Sequence, residues 1–311
     1  MDMIAFREAV TRSGCDMATG VLLSGATTFR IGGPADYMIS LPSAQHAAQA
    51  IRLCREYGVP WMVIGNGSNL LFGDGGFRGA VLRLDPNAQP PAVREDGTVV
   101  CGAGVPLQRL CRFAQENALS GLEFAYGIPG TVGGAVYMDA GAYGGEMADV
   151  VVSADCLVPQ ADGSIAAKTL FREALELGYR YSALMDRRDT VVTAVTVRLT
   201  PGDPEQIADK MKELIGRRKE KQPLEYPSAG SFFKRPTGYY AGALIEGAGL
   251  KGYRVGDAQV SEKHAGFVIN RGHATADEVL RLCRDVQEKV FAEQGVRLEP
   301  EVRFVGDFGE R

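Results

Sequence analysis

Residues 61–69 read Trp-Met-Val-Ile-Gly-Asn-Gly-Ser-Asn. An apolar run that passes directly into a glycine-rich turn describes a short buried strand. Its end lies where backbone N–H groups can approach a phosphate without side chains in the way. Upstream, residues 36–40 have strand composition, Ser43 is placed to cap a helix reaching Tyr57, and Gly58 to close that helix. Downstream, residues 80–84 read as a further strand. The first part of the chain is therefore expected to be a small β-α-β unit whose glycine turn is its functional end.

Further along, the proline-rich stretch 86–91 has the composition of a boundary. Residues 98–101 predict a strand and 106–117 a helix, with Gly102-Ala103-Gly104 between them. The order strand, G-x-G, helix is that of a dinucleotide fingerprint, but Leu107 stands where the third glycine belongs and no second β-α-β follows, so a plain turn is expected. Strands are predicted over 150–158 and 190–199, with a hairpin turn at Asp162-Gly163. A helix from Glu205 to about Arg218 places Ile207, Met211, Leu214 and Ile215 on one face and ends in a basic cluster. Thr275 and Glu278 form a capping-box pattern that opens a helix stopped by Gly295, and a strand is expected over 296–305. The fold class is α+β, divided into 1–85, 86–203 and 204–311.

Composition limits the function. At 311 residues, with 45% hydrophobic and 23% charged, the chain has the make-up of a globular protein with real cores. A formal net charge of -4 argues against a nucleic acid or an anionic membrane surface as the default partner. Cys15, Cys54, Cys101, Cys111, Cys156 and Cys283 include no C-x-x-C pair, and with three histidines neither a metal site nor a disulfide framework is expected. No apolar run has the length of a membrane span, and the first residues carry acids where a signal peptide carries bases, so a cytoplasmic protein without membrane insertion is expected.

Residues 127–145 read G-I-P-G-T-V-G-G-A-V-Y-M-D-A-G-A-Y-G-G. So glycine-rich a tract is expected to form neither a regular helix nor a central strand. It reads as a tight irregular loop or, given a second such tract at 65, as a main-chain wall against a flat or phosphorylated ligand.

Five motifs in order carry a family resemblance: G-N-G-S-N-L-L from Gly65, the 127–145 tract, Y-R-Y-S at 179–182, P-S-A-G-S-F-F-K-R-P from Pro227, and L-E-P-E-V-R-F at 298–304. From about Thr27 to Gly306 the chain resembles the UDP-N-acetylenolpyruvoylglucosamine reductases, flavoenzymes that complete UDP-N-acetylmuramate for bacterial peptidoglycan. The resemblance implies a two-part FAD-binding fold of the vanillyl-alcohol oxidase type followed by a substrate-binding α+β domain. It implies that Gly65, Asn66, Gly67, Ser68, Asn69 and Leu70 hold FAD. Ile128, Pro129, Gly130, Thr131, Gly133 and Gly134 would do so too, as would Gly141 and Ala142. The segment 181–228 is shorter than in members with an extra substrate-closing loop, so the compact subtype without that loop is expected, as a monomer.

The implied reaction has two hydride steps at one flavin. NADPH reduces FAD and leaves, and UDP-N-acetylglucosamine enolpyruvate then accepts hydride at its terminal vinyl carbon. Charge developing on the adjacent carbon and its carboxylate needs fixed cationic or hydrogen-bonding groups and a positioned proton. Arg180 and Glu301 match the family's stabilising residues and Ser231 its proton donor. By residue type alone, Ser231 also reads as a cap, Glu301 as a surface partner of Arg303, and Arg180 as a structural cation. Lys221, Lys251 and His264 match positions of contact to the diphosphate and sugar, with Tyr179 and Tyr226 packed nearby; a lone histidine such as His264 is more often structural, and Arg218 reads either as approaching flavin or phosphate or as a solvated helix end.

Asp139 departs from the family's usual asparagine, replacing an amide donor by a carboxylate. Asp139→Asn is expected to retain or improve flavin content, and a clear loss of FAD would refute that. Two other readings are a FAD-dependent alcohol oxidase or dehydrogenase on the same fold, and a non-catalytic nucleotide-sugar-binding protein. The first lacks a histidine or cysteine in a motif for covalent flavin attachment, and the second has no need of Ser231 and Glu301.

Overall fold

A computed structural model describes residues 3–187 and 189–309. It is an α+β protein. The strands Asp16–Leu22, Pro34–Leu41, Phe77–Leu84 and Trp61–Val63 form a four-stranded sheet in that order, the last two pairing in parallel. The helix Ala44–Glu56 joins two of them. Ser43 caps it by accepting the N–H of His46, and Gly58 follows with φ +65°, as the local sequence predicts.

The chain divides into two compact units. The first comprises the residues up to Thr19, Tyr37–Asn66 and Gly79–Gly216; the second comprises Gly20–Asp36, Gly67–Arg78 and the residues from Arg217. The division between Gly216 and Arg217 falls inside the helix Pro204–Lys221, whose Ile207 and Met211 are buried in a core of the first unit.

The first unit holds two cores. One joins Phe6 and Val10 to Ile39, Leu41, Ile51 and Leu82. The other lies on an antiparallel five-stranded sheet ordered Ile165–Phe171, Val151–Pro159, Val191–Val197, Val99–Gly102, Ala92–Val93. Onto it the helix Leu107–Glu116 buries Leu107, Leu110, Cys111 and Ala114. Each of the two leucines contributes about 1.5–3 kcal/mol. A β-carbon on Gly102 would meet the Gln89 carbonyl at 2.9 Å and one on Gly104 the Leu84 carbonyl at 2.7 Å. These glycines admit neighbouring backbone, as the expected plain turn requires.

The glycine-rich tract corrects one expectation. Val132–Tyr137 is a short helix, capped by Thr131, whose side chain accepts the Gly134 N–H. The helix is worth forming because it buries Val132, Ala135 and Val136. In the second unit, Ser228–Ser231, Phe267–Asn270, Ala258–Val260 and Arg254–Val255 form an antiparallel sheet in that order. The helix Ala276–Gln294 starts with the reciprocal Thr275–Glu278 capping box and ends at Gly295, φ +69°. The strand expected over 296–305 is reduced to Arg303–Val305, which pairs in parallel with Leu70–Phe72. Before it lies only an isolated bridge of Phe233 to Pro300, a residue with no N–H to continue a ladder.

Candidate active site

Gly65 and Asn66, at the start of the first glycine-rich tract, meet the second tract within the first unit. The Asn66 side-chain amide donates to the Pro129 carbonyl at 3.2 Å, and a β-carbon on Gly65 would sit 2.3 Å from Thr131 Oγ1. Only glycine allows that approach. Several donors of the second tract are already used inside the protein: the N–H of Ile128 goes to Ala125, Val132 to Val105, Gly133 to Ala103, and Gly134 to Thr131. Gly130 accepts from Leu107. In the first tract the situation is reversed. Among the described residues, the N–H groups of Gly65, Asn66, Gly67 and Ser68 have no acceptor in the protein, and Gly67 is left-handed at φ +59°. Consecutive free N–H groups around a left-handed residue are the makings of an anion nest.

Arg180 sits at the tip of a tight turn closed by mutual backbone hydrogen bonds between Gly178 and Tyr181, in the left-handed region at φ +56°. Two residues that follow anchor the turn: the Tyr181 hydroxyl donates to Asp186 at 2.7 Å, and the Ser182 hydroxyl to the Tyr137 carbonyl at 2.7 Å. The guanidinium lies 5.1 Å from the Tyr179 ring centroid and donates to the carbonyls of Asp139 (3.4 Å) and Gly141 (3.2 Å). Tyr179, Arg180, Asp139 and Gly141 are thereby one cluster, with Ala142 beside it on the Gly141–Ala142 strand.

Asp139 follows the short helix in a left-handed conformation, φ +42°, the position after a helix that favours glycine or asparagine. Its side chain is fully buried. Oδ1 accepts the Ala148 N–H at 2.8 Å, whereas Oδ2 is buried without a hydrogen-bond partner among the described residues. Burial pushes the carboxyl up to about 6; Glu146 and Asp149 add to the rise, against the Ala148 hydrogen bond and Arg180.

In the second unit, Ser231 ends its strand opposite Phe267, after a register shift that follows from Gly230 at φ +80°. It is exposed, caps no helix, and its hydroxyl has no partner among the described residues. The next residue connects it to Glu301: the Glu301 N–H donates to the Phe232 carbonyl at 2.8 Å. Glu301 is half-buried. Asn69 clamps the same segment, its amide donating to the Glu301 carbonyl at 3.1 Å and its carbonyl accepting the Arg303 N–H at 3.0 Å. Leu70 continues this contact as the first residue paired with Arg303.

Residues 35–167 match a family model described as a FAD binding domain, and residues 222–305 one described as the C-terminal domain of UDP-N-acetylenolpyruvoylglucosamine reductase. A reductase of that name from Agathobacter rectalis is 51% identical over 293 residues, 91% of each chain. Another, from Lachnoclostridium phytofermentans, is 50% identical, with 92% of this chain and 91% of that one covered. The crystal structure of the Thermus caldophilus enzyme superposes with a TM-score of 0.78 at 39% identity, covering 93% of this chain and 98% of that one. The chain belongs to the UDP-N-acetylenolpyruvoylglucosamine reductase family.

For a member of this family the observed cradle fits a flavin nucleotide: the free N–H run at 65–68 suits an anionic pyrophosphate, and Gly65 lets Thr131 of the second tract close against the first. The residues assigned to substrate lie in several settings. Tyr226 is held by Arg271, whose guanidinium donates to its hydroxyl at 2.8 Å and covers its ring at 4.7 Å. Lys221 is exposed at the end of the helix Pro204–Lys221, and Arg218 is half-buried in its last turn. Lys251 pairs with Glu246 at 2.7 Å.

His264 accepts the Gly266 N–H on Nδ1, and burial, seconded by Lys251, holds the imidazole below its usual range. The neutral ring therefore keeps its proton on Nε2. Ser182 and Ala148, which fix the Arg180 turn and the Asp139 loop, were not singled out from the sequence. The serine of Y-R-Y-S was the signal for the first; nothing local marks the second, since only its backbone acts.

Proposed function

We propose that the protein reduces the enolpyruvyl group of UDP-N-acetylglucosamine enolpyruvate to give UDP-N-acetylmuramate, with NADPH as reductant and FAD as cofactor. The observation that carries this reading is the unengaged, exposed hydroxyl of Ser231 next to Phe232, whose carbonyl takes the Glu301 N–H, in a chain of this family. The backbone donors at 65–68 hold the pyrophosphate, and the 128–134 tract with Gly141 and Ala142 forms the wall against which the cofactor lies. FAD, when bound, supplies the hydride carrier between NADPH and the enol ether.

The chain's own residues complete the reduction by managing charge and one proton. Hydride addition to the terminal vinyl carbon turns the C=C electron pair into a carbanion stabilised by the neighbouring carboxylate. Arg180, held rigid by two carbonyls and the Tyr179 ring, stabilises that charge together with Glu301. Ser231 then transfers its hydroxyl proton to the carbon next to the ether oxygen. A serine hydroxyl is a poor acid, and only so basic an acceptor makes the transfer favourable. Exposure lets water restore the proton. Lys221 and Lys251 place cationic charge for the diphosphate, and Tyr179, Tyr226 and His264 border the nucleotide sugar.

Anaerobic spectroscopy tests the reading. NADPH should bleach the bound flavin, and UDP-N-acetylglucosamine enolpyruvate should restore its colour. Flavin that oxygen reoxidises but the enol ether does not would favour an oxidase, and protein that cannot be loaded with FAD would overturn the proposal.

A further inference from the structure

We propose that Asp139 is a positioning residue that acts as the neutral acid, fixing the 139–148 loop and through it the guanidinium of Arg180, and that its ionisation loosens that hold. The inference rests on the reading of Arg180 as a charge-stabilising residue. Three contacts define the arrangement. Oδ1 of Asp139 takes the N–H of Ala148, the main-chain carbonyl of Asp139 takes one Arg180 nitrogen, and the Gly141 carbonyl takes another. One side chain therefore ties the far end of the loop to the residue that holds the arginine.

The second carboxyl oxygen decides the protonation state. Oδ2 is buried and receives no hydrogen bond among the described residues. A buried carboxylate oxygen without a donor is expensive, whereas a protonated one carries no charge. The ionisable groups facing it are Glu146 from the Gly145–Glu146 strand, Asp149 from the turn after it, and Arg180 from the 178–181 turn. Two of the three disfavour a second negative charge. Once ionised, Oδ2 has Arg180 as its single cationic neighbour in that set and draws the guanidinium off the two carbonyls that aim it.

The test uses the full chain and its Asp139→Asn variant, whose amide keeps the shape and cannot ionise. The first readout is independent of activity: the carboxyl resonance absent from the variant, followed by NMR in protein carrying carboxyl-labelled aspartate. It should titrate with a midpoint above pH 5, and a resonance already ionised at pH 5 would overturn the proposal. The second readout is kcat/KM for enol ether reduction in FAD-loaded protein between pH 5 and 8. The ratio of variant to wild type should be near one at pH 5 and rise at least threefold by pH 8. Superimposable profiles would sink the link to Arg180. If neither protein reduces the enol ether while the resonance titrates as expected, the functional reading fails and the role toward Arg180 fails with it. The neutral acid itself then stands on the NMR result.

Discussion

At the residue scale, the side chains that matter are few and their settings differ. Ser231 has an exposed hydroxyl, and the role proposed for it is confined to the last proton transfer. Ser231→Ala should slow flavin reoxidation by the enol ether by about 10²–10⁴-fold while leaving bleaching by NADPH within about twofold, as stopped-flow absorbance would read. Equal loss in both half-reactions would remove the serine from the proton step. Asp139 makes a thermodynamic prediction. Its folded-state value of about 6 lies above the ordinary 3.8, so the folded protein holds a proton that the unfolded chain has lost between those pH values. Stability must fall as pH rises from about 4 to 6 and stay reduced above that. At ~1.4 kcal/mol for each pH unit between the two values, the full cost is of the order of 3 kcal/mol. Urea denaturation should therefore find Asp139→Asn more stable than wild type at pH 7.5, with the difference shrinking toward pH 4. A difference that is constant with pH would contradict a neutral buried acid. None of this was legible from the residue type: the departure from asparagine was visible, but burial and the missing partner of Oδ2 were not.

At the scale of elements, local signals gave the termini and tertiary packing gave the exceptions. Ser43 and the Thr275–Glu278 box cap their helices as read, because a cap satisfies N–H groups only two or three residues away. The helix Val132–Tyr137 went unread since its two glycines each cost about 1 kcal/mol of helix propensity, which the Thr131 cap and three buried apolar side chains outweigh. The shortened last strand shows the reverse, as residues 296–302 have strand composition but no ladder to join. At the cradle, Gly65→Ala should abolish stable FAD binding, because the added methyl must displace the Thr131 side chain, which caps the next helix, from a contact of 2.3 Å. Flavin absorbance per protein after gel filtration measures this. Retention of a full complement of FAD by a folded Gly65→Ala variant would show that the two tracts do not form the cofactor wall.

At the scale of the whole molecule, the cysteines report on the cores. All six are buried, and burial pushes Cys54, Cys101, Cys111, Cys156 and Cys283 up to about 12. Native protein at pH 8 should therefore react with a thiol reagent at a small fraction of the rate seen in denaturant, with the thiols becoming reactive together on unfolding. A fast-reacting native thiol would show that one core opens readily. No helix among the described residues is long and apolar enough to cross a membrane. The sequence by itself determined the α+β class, the helix caps, the glycine-rich tracts and the family, because each is written in adjacent or regularly spaced residues. Only the tertiary structure decided which segments make up each unit, why Gly102 and Gly104 admit neighbouring backbone, and how Asn69 comes to hold Glu301. It also decided that Asp139 is a buried acid beside Arg180. Those facts depend on contacts between residues far apart in the chain and on exclusion of water, and neither leaves a local pattern to read.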